Sequence, residues 1–336
     1  MNSELHVVFG AGQVGGTLAR LLLAAGKRVR IAKRSATAAA PGSEIVLGDA
    51  ADPSFCASAA DGAKAVYHCI NPPYDARVWA DVMPRYMDNL IAASARAKAR
   101  LVVLDNVYML GRPNGRMLDE DTPMRPCSRK GEIRAAAATR LFDAHRRGDV
   151  LATAGRASDF YGPGGTQTGL GDFFWPRVLA GKTAYSPFPL DAVHTYHYIP
   201  DVAAGLMTLG GADADAFGRP WMLPCTPAGT FRNLLARLTR ASGRTLKVAQ
   251  VPRWVVKTMA VAMPLMRELD EMLYQWDEPF VVDDRRFRER FHNAPADVDQ
   301  AAASTVEWAV QHYGRVLQNR TGADSHDDAP NDARHD

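Results

Sequence analysis

VVFGAGQVGGTLARLL, residues 7 to 22, is the stretch on which the fold turns. The apolar run that ends at Phe9 is cut by Gly10-x-Gly12-x-x-Gly15. Apolar residues at helical spacing follow, as far as Gly26. Three glycines at this spacing mean little alone; directly after a strand and directly before a helix they mark a dinucleotide turn. Gly10 permits the tight turn, Gly12 lets the backbone approach a pyrophosphate, and Gly15 lets helix and strand pack closely. The phosphates would sit on the N–H groups of the first helical turn, at Gln13 and Val14. The plainer alternative is a glycine-rich turn without a ligand.

Outward from that turn, strand and helix signals alternate. "RVRIA", "EIVLG", "AVYHCI", "ARLVVLD" and "VLATAGRAS" are further short strands. The longest helical stretch between them, "DARVWADVMPRYMDNLIAASARA", contains Pro84, where a kink or a restart is expected. This order predicts an α/β protein with a doubly wound parallel sheet. After about residue 160, Gly- and Pro-rich loops alternate with helices, which suits a smaller C-terminal substrate lobe. The expected division is a dinucleotide-binding domain over 1–160, rejoined at about 190–210, a substrate-side lobe over 161–318, and a disordered polar tail over 319–336.

The end of the second strand bears on the cofactor. An NAD site places Asp or Glu there to hold the ribose 2′-OH. This chain has "VRIAKRS" and no acid. Lys33 and Arg34 suit a 2′-phosphate instead, so NADP is preferred over NAD; a solvated basic turn is the alternative. Asp49, in "LGDAADP", is placed to accept from the adenine amino group, while Asp52 is the better helix cap.

Composition narrows the class. Of 336 residues 47% are apolar and 23% charged, with 40 basic against 37 acidic side chains. That balance gives no whole-chain argument for nucleic acid or a membrane surface. No apolar run approaches the ~20 residues of a membrane helix, and the start is not a signal peptide. The four cysteines form no CxxC pair, which suits reduced thiols in a cytoplasmic protein and no metal site.

Several ordered landmarks carry a closer likeness: the glycine turn, "GDAAD", "AVYHCINPP", "LVVLDNVYMLG", the helix after "PCSRKG", "GRASDFYGPGG" and "HTYHYIPDVAAGLMTL". In this order the chain resembles the extended short-chain dehydrogenase/reductase superfamily, in its NAD-dependent epimerase/dehydratase branch. The resemblance covers roughly residues 5 to 210. It implies a Rossmann-type domain, a nicotinamide dinucleotide contacted also by Asn71, a small-molecule substrate, and a homodimer through helices on the sheet face. It also implies a Ser or Thr, a Tyr and a Lys as the proton-transfer set.

The chain departs from that set throughout. Aligned on Gly111, Asn106 stands where the Ser or Thr belongs. Aligned on Gly131 and the Ala-rich helix, Lys130 stands at the Tyr and Arg134 at the Lys; a shifted register would put Pro126 at the Tyr instead. Lys130 and Arg134 are four apart and so share a helix face, where mutual repulsion should ease deprotonation of Lys130. Lys130 would then carry the proton, Asn106 orient the substrate oxygen, and Arg134 hold the ribose. Tyr108 is a second proton carrier, or a packing residue, and Tyr74 a weaker candidate. The expected function is an oxidoreductase acting on a carbonyl or secondary alcohol. The alternatives are a sugar-nucleotide epimerase/dehydratase, or a non-catalytic sensor of NADP(H) in which Lys130 and Arg134 only bind. His194 and His197 are expected on opposite faces of one strand, and Asp201 as a helix cap.

Overall fold

The computed structural model describes residues 4–37 and 39–324, with side chains to residue 314. The strands are β1 (Leu5–Phe9), β2 (Arg28–Lys33), β3 (Glu44–Leu47), β4 (Ala63–His68), β5 (Arg100–Asp105), β6 (Ala152–Arg156), β7 (Asp159–Tyr161), β8 (Ala184–Ser186), β9 (Val193–His194), β10 (Tyr196–Tyr198), β11 (Pro220–Met222), β12 (Gly229–Thr230) and β13 (Val248–Gln250). The helices are α1 (Gln13–Ala24), α2 (Pro53–Ala60), α3 (Ala76–Ala97), α4 (Arg129–Arg146), α5 (Trp175–Leu179), α6 (Ile199–Gly211), α7 (Phe231–Ser242), α8 (Arg253–Ala262), α9 (Pro264–Asp270), α10 (Arg285–Phe291) and α11 (Val298–Asp324).

Seven strands form one parallel sheet in the order β11-β6-β5-β4-β1-β2-β3. Strand β1 lies inside it and is buried along its whole length, which its unbroken apolar sequence anticipates. The order reverses at β1, so β1 and β4 diverge to leave a crevice at their C-terminal ends. One core packs α2, α3 and α4 on one face of the sheet, and a second packs α1 and α6 on the other. A third core, of Trp175, Phe231, Leu238 and Ala302, lies among α5, α7 and α11.

The six strands expected from sequence are present as β1 to β6. Helix α3 continues through Pro84 rather than restarting there. Asp52 caps α2, accepting from Ser54 N at 2.8 Å. Asp201 does not cap: α6 begins earlier, at Ile199, and the Asp201 carboxylate instead accepts from Ala296 N at 2.9 Å. Of the tail expected to be disordered, residues 319–324 continue the backbone of α11, and 325–336 lie outside the described residues. Among the described residues no helix is long and apolar enough to cross a membrane.

Candidate functional site

The glycine turn joins β1 to α1 at the crevice. Gly10 has φ +95°, and a Cβ there would lie 2.9 Å from the Cys69 carbonyl at the end of β4. A Cβ on Gly15 would lie 1.9 Å from Gly10 O, so only glycine lets α1 approach β1 this closely. At Gly12 the same construction meets nothing within 4 Å. The space over Gly12 is therefore open, and α1 starts with no side-chain cap and no acidic residue in its first turn. Its leading N–H groups, at Gln13 and Val14, have no partner within the helix. An open cradle, unpaired donors and the positive end of the helix dipole fit a pyrophosphate. The Gln13 side chain is held from above, its Oε1 accepting from Gln167 N at 3.1 Å.

At the end of β2, Lys33 is buried and its Nζ donates to the Thr37 carbonyl, while Arg34 is exposed. The turn therefore offers one cation already engaged and one at the surface. Asp49 is exposed, and its carboxylate accepts from Ala51 N at 2.9 Å. Asn71, past the end of β4, accepts from Arg134 Nη2 at 3.0 Å. That contact brings the crevice and helix α4 together.

Lys130 and Arg134 lie on α4, both buried. Ser128 caps the helix, its Oγ accepting from Gly131 N at 3.1 Å. A Cβ on Gly131 would lie 2.6 Å from Tyr108 O, so this glycine lets the helix start press against the turn after β5. Lys130 is 0% exposed. Its Nζ donates to Glu268 Oε2 at 2.5 Å, to Glu271 Oε2 at 2.7 Å and to Glu268 O at 3.0 Å. Three oxygens thus match the three protons of an ammonium. The Nζ also lies 4.8 Å from the centre of the Tyr74 ring. A cation in the first turn of a helix sits at the wrong end of the dipole. Two carboxylates from the chain's C-terminal part offset that.

Arg134 does not share these partners. Its guanidinium reaches Asn71, lies 3.5 Å from Asp105, and stacks over Trp79 at 4.8 Å; its Nε is buried without a partner. Burial pulls the guanidinium below its ordinary value, while Asp105 opposes that. Burial pushes the Asp105 carboxyl up against the pull of Arg134 and Arg156. The like-charge pair read from helical spacing is therefore divided between two separate sets of anions and dipoles.

Asn106 follows β5, and its Oδ1 accepts from Tyr108 N at 3.1 Å, which shapes the turn. Tyr108 stacks on Trp79, and its hydroxyl lies 3.4 Å from that of Tyr74. Burial pushes the Tyr108 phenol up to about 12, with the Asp159 charge adding to the effect. Burial also raises the Tyr74 phenol well above its ordinary value. Both phenols are neutral at pH 7 and suited to donate rather than to act as bases. The structure thus brings Lys130, Tyr74 and Tyr108 into one corner, with Asn106 shaping the Tyr108 turn and Arg134 behind.

Sequence reasoning missed Glu268 and Glu271, which lie 138 and 141 residues from Lys130. The one signal available was a pair of acids three apart in "MRELDEM", a spacing that puts both on one helix face. It also missed Asp159, whose Oδ2 lies 2.7 Å from His194 Nε2. His194 and His197 are both fully buried. His197 bonds Ser158 and the Leu223 carbonyl, and burial lowers it to about 3. The segment "EPFVVDDRRFRERF" serves the fold: Phe280 stacks on His194, and Phe287 is buried under β11.

The family model described as the NAD dependent epimerase/dehydratase family matches residues 6–216. Among solved structures, the chain is similar to a dTDP-glucose 4,6-dehydratase from Streptomyces venezuelae with NAD and DAU bound. The TM-score is 0.73 and the identity 18%, over 93% of this chain and 98% of that one. It is similar to WbmH of Bordetella bronchiseptica in complex with NAD+, at TM-score 0.71 and 17% identity, over 93% and 100%. The UDP-glucose 4-epimerase of Thermus thermophilus in complex with NAD gives 0.70 and 20%, over 92% and 99%. Among curated proteins no sequence matches.

Proposed function

We propose that this chain, which belongs to the NAD-dependent epimerase/dehydratase family, is a nicotinamide-dinucleotide oxidoreductase of the extended short-chain type that acts on a carbonyl or secondary alcohol and takes NADP in preference to NAD. Gly10, Gly12, Gly15 and the first turn of α1 would hold the pyrophosphate, and Arg34 the 2′-phosphate. Asn71 and Arg134 lie on the side of the crevice where the ribose next to the nicotinamide would rest. The hydride comes from, or goes to, the bound dinucleotide.

Lys130 holds the proton. The observation that carries this reading is its ammonium, fully buried between Glu268 and Glu271, at the position that alignment on Gly131 gives to the family's Tyr. A buried ion pair contributes little net stability over apolar packing, so it is weak as a purely structural device. A substrate carbonyl oxygen would replace one of the three acceptors on Nζ and take its proton as the carbon is reduced. The two carboxylates would then draw a proton back from solvent. The segment that carries them is loosely anchored: no residue of α9 is fully buried, and Val256 alone in α8. Such a segment can yield to a substrate at low cost.

The saturation of all three Nζ protons also favours a second reading, a sensor that binds NADP(H) without turnover. One assay separates them. The protein is mixed with NADPH and a panel of aldehydes and ketones, and reduced-nicotinamide absorbance is followed. Consumption of NADPH with any member supports the oxidoreductase. Tight NADPH binding with no consumption, and no isomerisation of added sugar nucleotides, supports the sensor.

A further inference from the structure

We infer that the substrate admitted beside Lys130 carries a positively charged amino group, received by the carboxylate of Asp159. The inference rests on the reading that a small substrate reaches Lys130, and it names the chemistry of that substrate.

Asp159 opens β7, just past the C-terminal end of β6, and its side chain is 34% exposed. Behind it His194 is fully buried and fixed. The His194 ring stacks on Trp276 at 4.7 Å and 8°, and on Phe280 at 5.3 Å and 15°. Its Nδ1 is buried without a partner, while Nε2 faces Asp159 Oδ2 at 2.7 Å. A neutral imidazole carries one proton, and the nitrogen with an acceptor is the one to carry it. With no acceptor at Nδ1, His194 donates from Nε2 and holds the Asp159 carboxylate in place.

The neighbouring carboxylates face cations: Asp105 meets Arg134 and Arg156, while Glu268 and Glu271 share the single ammonium of Lys130. Among the described residues, His194 is the sole ion-pair partner of Asp159. The surrounding walls are aromatic. Tyr196 is the β-register neighbour of Asp159, and its ring lies 5.1 Å from that of His194, against which the carboxylate rests. A carboxylate among aromatic rings is an ammonium-binding chemistry. Lys130 already displays it in this corner, with its Nζ between two carboxylates and over the Tyr74 ring. A carboxylate or phosphate in the same place would meet the charges of Asp159 and Glu271.

The test uses the protein saturated with NADPH and two probes of one shape, benzylamine and benzyl alcohol, titrated by calorimetry at pH 7.5. Wild type should bind benzylamine at least about ten-fold more tightly, the effect of a desolvated ammonium contact. In Asp159→Asn, which keeps the size and the bond from His194, the ratio should fall to near one. In His194→Phe, which keeps the stack but frees the carboxylate, it should fall part of the way. Equal binding of the two probes by wild type, no binding of either, or a preference that survives Asp159→Asn overturns the inference. Turnover is read separately. A preference for the amine in a protein that turns nothing over removes the oxidoreductase reading and leaves this one standing; turnover without the preference does the reverse.

Discussion

The glycine turn and the Lys130 corner face the same crevice and are built in opposite ways. The turn is contiguous: Gly10, Gly12 and Gly15 lie within six residues and do their work through backbone geometry, backed from outside by Cys69 and Ile70 after β4. The corner is assembled from Tyr74, Tyr108, Lys130 and the distant Glu268 and Glu271. The turn stays open over Gly12, whereas the corner is closed and every Nζ proton is engaged. A backbone site can wait empty because helix N–H groups face solvent at small cost. A buried ammonium cannot, so the fold supplies counter-charges where a substrate would enter.

The largest effect should follow from breaking the corner. Lys130→Met leaves two carboxylates without their cation, and denaturant unfolding should show a loss of about 3–5 kcal/mol. NADPH affinity, read by fluorescence, should change little, because the turn is a separate construction. A variant as stable as wild type would mean that α9 does not hold its carboxylates against Lys130.

Acid should weaken both regions together, because His68 sits where they meet, next to the Cys69 that backs Gly10. Burial lowers His68 from its ordinary 6.5 to about 3, with Arg134 adding to the effect, and burial does the same to His197. The unfolded chain takes up these protons first. The stability is fully present above pH 6.5 and is lost as pH falls toward 3, by about 2 kcal/mol at pH 5 for each histidine. Urea unfolding at pH 7.5 and 5 checks this, and His68→Gln should reduce the difference by about 2 kcal/mol while the share of His197 remains.

Gly12→Ala sharpens the contrast from the other side. Its Cβ meets nothing in the protein, so stability should stay within about 0.5 kcal/mol. The methyl group stands where the pyrophosphate would approach, so NADPH affinity should drop roughly ten-fold or more. Unchanged affinity would refute the placement of the phosphates. The smallest effect belongs to Arg34→Ala. It should weaken NADPH by roughly ten-fold, a charged hydrogen bond's worth, and leave NADH unaffected. Equal losses for both would remove the preference for NADP.

The same contrast explains what the sequence made legible. Strands β1 to β6 and the turn rest on period, glycine and chain order, all local properties, and they lie where the sequence puts them. Asp201 was misjudged because α6 starts before it, and because its partner, Ala296 N, lies 95 residues away. For Lys130, helical spacing identified Arg134 as the neighbour, but spacing says nothing of what covers a helix from outside. Its partners come from α9 and the residue that follows it. Asp159 and His194 likewise meet only because β7 pairs with β10, an arrangement no local pattern encodes.

The most direct measurement concerns Lys130→Arg, followed by the rate of NADPH oxidation on whichever carbonyl wild type consumes. Arginine can keep both ion pairs, but it does not give up a proton at working pH. If Lys130 carries the proton, the rate should fall by at least about 100-fold while NADPH affinity and thermal stability stay near wild type. If Lys130→Arg turns over at the wild-type rate, Lys130 is a structural cation and the proton moves elsewhere.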